Sequence, residues 1–360
     1  MGVNQMPKAE MTSRERVLAA VRHSKPDRVP CVIPLEKYMK NVLVQHYGTQ
    51  DLPRAMRMDI VDVNHNPTQL NQDYSRYFSR PGVTWDEWGR GRIWDQYEQY
   101  AEYIFPLENA ETMVDLIQYP WPDLDAAYRF AGVADQIAAF HHQGYAVTCI
   151  IEETIFEIAW QLRGMTRLFE DIHNQDEKAE YLLNRITELR EATARAFAQA
   201  GADIIQLGDD VAMQTGLMMS PKMYRHWFKP YLTRVIQAAK QANPDVVIQY
   251  HSDGMINNLV PDLIEAGIDI LNPVQPECVD HTWIKQTYGD QLAFCGGIDV
   301  QSVLPFDTPE EVRQHVRQVI ENLGAGGGLI IAPSHVIERD VSVENIEAML
   351  SAIDEFGGYE

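Results

Sequence analysis

The chain has 360 residues, 45% hydrophobic and 23% charged, the proportions of a soluble globular protein able to bury one large core. Lys plus Arg number 30 and Asp plus Glu 52, a formal net charge of −22, which disfavours nucleic acid and anionic membranes as partners. No apolar run approaches a bilayer's thickness, residues 1–15 lack the apolar stretch of a signal peptide, and a cytoplasmic protein is expected. The cysteines Cys31, Cys149, Cys278 and Cys295 form no C-x-x-C pair, which argues against a disulfide framework or zinc ribbon.

Residues 13–23 read as an amphipathic helix with Val17, Leu18 and Val21 on one face and Ser13 or Thr12 as cap. A first short strand is predicted over 29–34. Helical stretches follow to residue 58, then a second strand over 59–66 that ends in Asn64, His65 and Asn66. Residues 68–124 break the rhythm. They are rich in Trp, Tyr, Arg, Gly and Pro and predict a β-hairpin with loops inserted over one face. Their Trp85, Trp88 and Trp94 predict a lid or the contact of a homodimer, with ordinary packing as the alternative.

Beyond residue 125 strand and helix alternate. A helix over 125–143 precedes strand 145–151, which ends in Glu152-Glu153. Helices fill 155–199. Strand 202–207 ends in Gly208-Asp209-Asp210, and helices follow over 221–242. Strand 246–250 delivers His251-Ser252-Asp253-Gly254 just before a helical pattern over 255–266. Strand 268–273 leads toward Gln275. A helix near 281–288 precedes strand 292–295 and Gly296-Gly297-Ile298-Asp299. Helix 309–323 and the turn Gly326-Gly327-Gly328 lead into strand 329–332, which ends in Pro333-Ser334-His335. A helix over 342–355 closes the chain.

Eight strands in such an alternation predict a parallel (β/α)8 barrel, one domain over the whole chain with 68–124 as an excursion. No Gly-x-Gly-x-x-Gly or Walker loop is present, so a nucleotide-binding open sheet has little support. In a barrel the carboxyl ends of the strands converge on one pocket. The residues placed there are Asn66, Glu152, Glu153, Asp209, Asp210, His251, Asp253, Gln275, Asp299 and His335. Asp203 and Asp269 begin strands and read as structural. His251, Asp209 and Glu152 are the expected catalytic groups. Asn66, Asp210, Gln275, Asp299 and His335 are expected to bind substrate. His251, Asp253 and His335 could ligate zinc or another divalent metal from two strand ends. The rival reading is metal-free, with His251 as proton donor.

The chain resembles the uroporphyrinogen decarboxylase superfamily, which includes corrinoid-linked methyltransferases. The resemblance rests on Arg14 to Arg22 with Pro26-Asp27-Arg28-Val29-Pro30, Gly208-Asp209-Asp210, Met219-Ser220-Pro221, His251-Ser252-Asp253-Gly254, Gly296 to Asp299 and Ala332-Pro333-Ser334-His335. It implies a (β/α)8 barrel and a small-molecule substrate. It also implies a corrinoid on a partner protein and a zinc site built from His-x-Cys and a later Cys. Here Asp253 replaces the first thiolate, and Ser334 or His335 stands near the second. The family's decarboxylase grips its acidic tetrapyrrole with an arginine-rich loop. The matching stretch, 30–40, holds only Lys37 and Lys40, too few cations for a polycarboxylate. Three functions follow in order: a methyltransferase acting with a corrinoid on a small methylated molecule, a decarboxylase or other lyase of a tetrapyrrole or smaller acid, and a non-catalytic binding barrel.

Overall fold

The computed structural model describes residues 10–95 and 101–359. In chain order the strands are β1 (Ile60–Asp62), β2 (Thr84–Trp85), β3 (Gly91–Trp94), β4 (Ala101–Ile104), β5 (Ala146–Ile151), β6 (Ile204–Gly208), β7 (Ala212–Met213), β8 (Gly216–Leu217), β9 (Val247–His251), β10 (Ile270–Asn272), β11 (Ala293–Ile298) and β12 (Leu329–Pro333). Seven of them pair in the order β1-β5-β6-β9-β10-β11-β12, all parallel. These runs are apolar on both faces, as strands covered on both sides must be.

The eighth position is filled by the stretch 29–35. It carries Pro30 and Pro34, which lack the amide donors of a regular ladder, so it makes only isolated bridges, Cys31 to Ile331 and Leu35 to Ile337. On one side the Ile331 amide donates to the Pro30 carbonyl at 2.9 Å. On the other the Asp59 amide donates to the Cys31 carbonyl at 2.8 Å. The curled sheet is thereby closed as a (β/α)8 barrel.

The closing seam is also ionic. Asp59, wholly buried, accepts from Arg16 at 2.6 Å and from Arg28 at 2.8 Å. Arg16 lies on the first helix, Ser13–Val21, whose cap is Thr12 in a reciprocal pairing with Glu15. Val17 and Val21 of that helix plug the bottom of the barrel against Ile60, Ala146, Ile204, Val247, Ile270, Ala293 and Ile330. Side chains alternate along a strand, so those positions set the inward register. One step up, at i+2, the interior turns polar: Asp62, Thr148, Gln206, Gln249 and Asn272. Another step up come Gly208, His251 and Ser334. Hydrophobic floor and polar mouth follow directly from this register.

Two segments differ from expectation. The helix predicted over 125–143 is split into Ala127–Phe130 and Val133–His142, because Gly132 sits at φ +80° between them. The insertion forms an antiparallel sheet of β2, β3 and β4, in line with the predicted hairpin; residues 96–100 lie outside the described residues. Trp88 is buried at 3% exposure beneath the Arg190 guanidinium and is not part of an outer face, whereas Trp85 and Trp94 are exposed. No described helix is long and apolar enough to cross a membrane.

Candidate active site at the barrel mouth

Strand β9 ends with His251 and Asp253 two residues apart, so both face inward. Asp210, two residues beyond Gly208 at the end of β6, has the same register. Ligand atoms of Asp210, His251 and Asp253 lie within 4.8 Å of one another. The His251 Nε2 is 3.9 Å from Asp210 Oδ1 and 3.7 Å from Asp253 Oδ1. All three are half-open to solvent, as groups meant to meet a ligand should be.

Neighbours hold the trio in place. The Asn272 amide nitrogen donates to the Cys295 carbonyl at 3.0 Å, which fixes its oxygen toward His251. That oxygen is 2.6 Å from His251 Nδ1 and can only accept, so Nδ1 carries a proton and Nε2 is the ring nitrogen turned toward the two carboxylates. The Asp253 amide donates to Asp210 Oδ1 at 2.8 Å. Gly254, at φ +85°, lets the chain turn under the β7–β8 hairpin; a Cβ there would stand 2.7 Å from the Met213 carbonyl. Burial raises the Asp253 carboxyl, and the nearby Asp210 adds to it, while His251 and His335 oppose the rise.

His335 does not join this set. It is exposed and stands beyond Asp253 on the wall of a cavity of about 440 Å³. The grouping thus differs from the expected one: among the described residues, the donors within reach of one another are those of Asp210, His251 and Asp253.

Asp209, expected among the catalytic groups, is engaged by backbone amides. It is adjacent to Asp210 and so points the other way, 4% exposed. Its oxygens accept from the amides of Ile155 at 3.0 Å and Glu157 at 2.9 Å. It caps the helix Phe156–Arg163, which follows β5, the strand paired beside its own. Burial pushes its carboxyl to about 7 against the lowering effect of those amides. We expect Asp209→Asn, which keeps a capping oxygen, to leave turnover near wild type. Asp209→Ala should cost about 2–3 kcal/mol by stranding buried amides, read as a lowered denaturant midpoint.

Three further expected substrate ligands are engaged in local structure. Asn66 donates its amide to the carbonyls of Tyr128 and Ala131, both at 2.9 Å. Gln275 accepts from the Gly254 amide at 2.9 Å. Asp299 accepts from the amides of Gln301 and Ser302. Each stabilises a turn at the mouth, the ordinary work of such residues. Glu152 is exposed at the rim. Glu153, held at φ +51°, is pinned by an ion pair with Arg90 from the insertion and by Gln161 at 2.9 Å. Arg129, fully buried, joins Glu87 at 2.8 Å and Asp123 at 3.0 Å. The insertion is thus latched onto the β1 and β5 end of the mouth.

Three residues of the site were not singled out from sequence. Asn272 orients His251. Glu157 accepts from the Asp210 amide at 3.0 Å; burial, then Asp209 and Asp210, push its carboxyl up to about 9. Asp62 faces the hollow of the barrel, reached by water yet enclosed by strands, and enclosure with the nearby Glu152 raises it from 3.8 to about 6. A carboxyl raised on folding favours its protonated form. Its contribution is full below pH 4 and is lost as pH rises through about 6. Asp62→Asn should accordingly leave the melting temperature unchanged near pH 4 and raise it above pH 6. Melts at the two pH values decide this.

The uroporphyrinogen decarboxylase (URO-D) family model matches residues 123–356, and the chain belongs to that family. It is 28% identical over 177 residues to the methylcobamide:CoM methyltransferase MtaA of Methanosarcina barkeri, covering 49% of each chain. It is 27% identical over 188 residues to the uroporphyrinogen decarboxylase of Chlorobium limicola, covering 51% of each. These matches span about half the length of those relatives. A longer match, 22% identical over 354 residues, covers 96% of this chain and 90% of the methylated-thiol–coenzyme M methyltransferase of Methanosarcina mazei. The solved structure of a methyltransferase from Methanosarcina mazei superposes with a TM-score of 0.68 at 18% identity, covering 96% of this chain and 99% of that one, a likeness of fold.

Proposed function

We propose that the chain is a methyltransferase. It exchanges a methyl group between a small methylated molecule and a corrinoid carried by a partner protein. Its centre is a divalent cation, zinc or another, held by Asp210, His251 and Asp253. The single observation that carries this reading is the orientation of His251. An imidazole with its Nδ1–H held by Asn272 turns its Nε2 toward two carboxylates, the arrangement in which histidine ligates a metal. The donor set fits the group: one nitrogen and two oxygens suit a hard or borderline divalent ion better than thiolates would. A divalent cation there would polarise a substrate oxygen or lower the pKa of a bound thiol or hydroxyl. The chain's own part is to orient, through Asn272, through the Asp253 amide on Asp210, and through the half-buried Glu157, which accepts from the Asp210 amide.

The corrinoid reading draws on the name of the Methanosarcina barkeri relative. The open mouth agrees with it, since Met213 and Met255 leave an exposed apolar rim beside the trio on which a flat macrocycle can rest. Decarboxylation, the activity named for the Chlorobium relative, is the second reading. Among the described residues the cations at the mouth do not favour a polyacid: Arg90 and Arg129 are held by acids, and Lys37 and Lys40 lie exposed on the helix Lys37–Tyr47.

The test is demethylation of methylcobalamin by the zinc-loaded protein, followed by loss of its absorbance, across thiol, phenol and amine acceptors. Turnover with at least one acceptor is expected. No turnover with any of them, together with release of CO2 from a carboxylic acid, would establish the decarboxylase instead. Ligand binding with neither reaction would leave a binding barrel.

A further inference from the structure

The cavity of about 440 Å³ beside the trio has an unusual lining. Asp253, Glu338 and Asp340 contribute three carboxylates, Phe306 an aromatic ring, Ser334 a hydroxyl and His335 an imidazole; no Lys or Arg lines it among the described residues. Arg339, next in sequence to two of the acids, turns away to Glu36 at 3.5 Å and to the ring of Tyr38. Glu338 and Asp340 have no ion-pair partner among the described residues. Ser334 is 4% exposed, points inward by the register of β12, and its hydroxyl has no hydrogen-bond partner among the described residues. Ser334 lines the cavity, so its hydroxyl is open to a polar atom of a ligand there. Phe306 is 76% exposed, an apolar surface that gains by being covered.

We propose that this cavity binds a methylated ammonium group, seated against the ring of Phe306 between the carboxylates of Glu338, Asp340 and Asp253, with Ser334 bonded to a polar atom of the same molecule. As the identity of the methyl-bearing substrate, this rests on the methyltransferase reading; as a binding site it stands alone. The chemistry is that of cation recognition: a soft, weakly hydrated cation gains from an aromatic face and from nearby anions. The inference survives occupation of the trio. A divalent cation neutralises two carboxylates, Asp210 and Asp253, and leaves Glu338 and Asp340 facing the cavity. An anionic ligand such as a sulfonate finds no Lys or Arg among the described lining residues and two carboxylates, Glu338 and Asp340, that repel it, so this pocket departs from relatives named for coenzyme M.

Isothermal titration calorimetry with the full chain tests this. Choline is compared with 3,3-dimethylbutanol, its neutral isostere, and with 2-mercaptoethanesulfonate. Choline should bind about tenfold or more tightly than the isostere, and the sulfonate should not bind. Phe306→Ala, and separately the pair Glu338→Gln with Asp340→Asn, should each weaken choline several-fold, and the charge-removing pair should leave the isostere unchanged. These side chains lie at the surface of the cavity, and circular dichroism checks that the variants fold. Equal binding of choline and its isostere, tighter binding of the sulfonate, or choline binding unaffected by both variants would overturn the proposal. Selective choline binding without any methylcobalamin demethylation removes only the methyltransferase reading. Turnover on thiols or phenols with no preference for the cation removes only this one.

Discussion

His251→Ala should abolish metal retention and methyl transfer together. The imidazole is the one nitrogen donor of the trio, and without it two carboxylates remain, themselves 42% and 35% exposed and free to rehydrate. The loss in affinity should exceed the ~10–100-fold typical of removing a residue that merely orients a ligand. Asn272→Ala supplies that lesser case. It leaves all three ligands in place but frees the His251 ring and its proton, so metal affinity should fall by about 10–100-fold while excess zinc restores turnover. Zinc titration against a competing chelator, run alongside the methylcobalamin assay, separates the two. A His251→Ala protein that keeps its metal would mean that the ion sits elsewhere.

The largest effect on stability should come from the closing seam. Asp59→Ala leaves Arg16 facing only Asp27 and, more distantly, Glu10, while Arg28 loses its carboxylate partner. It also removes the oxygen that accepts from the Cys31 amide at 2.9 Å. Arg16 is 2% exposed, so its charge cannot be rehydrated where it stands. Removing one partner of such a buried network costs about 3–5 kcal/mol. An exposed pair makes the contrast: Arg57 and Asp354, 55% and 40% exposed, should lose less than about 1 kcal/mol when broken. Urea denaturation of Asp59→Ala and Asp354→Ala measures both. The stretch 29–35 is held by few backbone bonds, so the first variant should also loosen the seam, visible as faster hydrogen exchange at Val32 and Ile331.

The barrel was legible because its strands are short, apolar on both faces and bounded by turn residues. The role of the strand-opening acids was legible for a related reason. Asp203 accepts from Arg14 and His141, both at 2.8 Å, and Asp269 from the Ile248 amide at 2.8 Å; both brace neighbouring strands as their repeated position predicts. His251 and Asp253 were legible together, since residues two apart on a strand share a face. Asp209 and Asp210 could not be told apart so easily. Only one of two adjacent residues faces inward, and the surrounding run is apolar on both sides. Gln206 was the available signal: a polar side chain within an apolar strand marks the inward, polar register, and Asp210 shares it. Asp62 carries the same signal in β1. Asn66, Gln275 and Asp299 have the residue types of a binding site but also those of turns; Asp299 accepts from amides two and three residues on, while the backbone partners of Asn66 and Gln275 are brought near only by the fold. Glu157 had no local signal, because its carboxyl matters through Asp210, fifty-three residues away.

The measurement that bears most directly on the account is metal stoichiometry by mass spectrometry in four proteins: wild type, Asp210→Ala, Asp253→Ala and His335→Ala, each purified without chelator and dialysed after loading with zinc. The geometry predicts one ion per chain in the wild type and in His335→Ala, and loss of the ion in Asp210→Ala and Asp253→Ala. No bound metal in the wild type, or an ion kept by Asp210→Ala and lost by His335→Ala, would contradict a centre built on Asp210, His251 and Asp253.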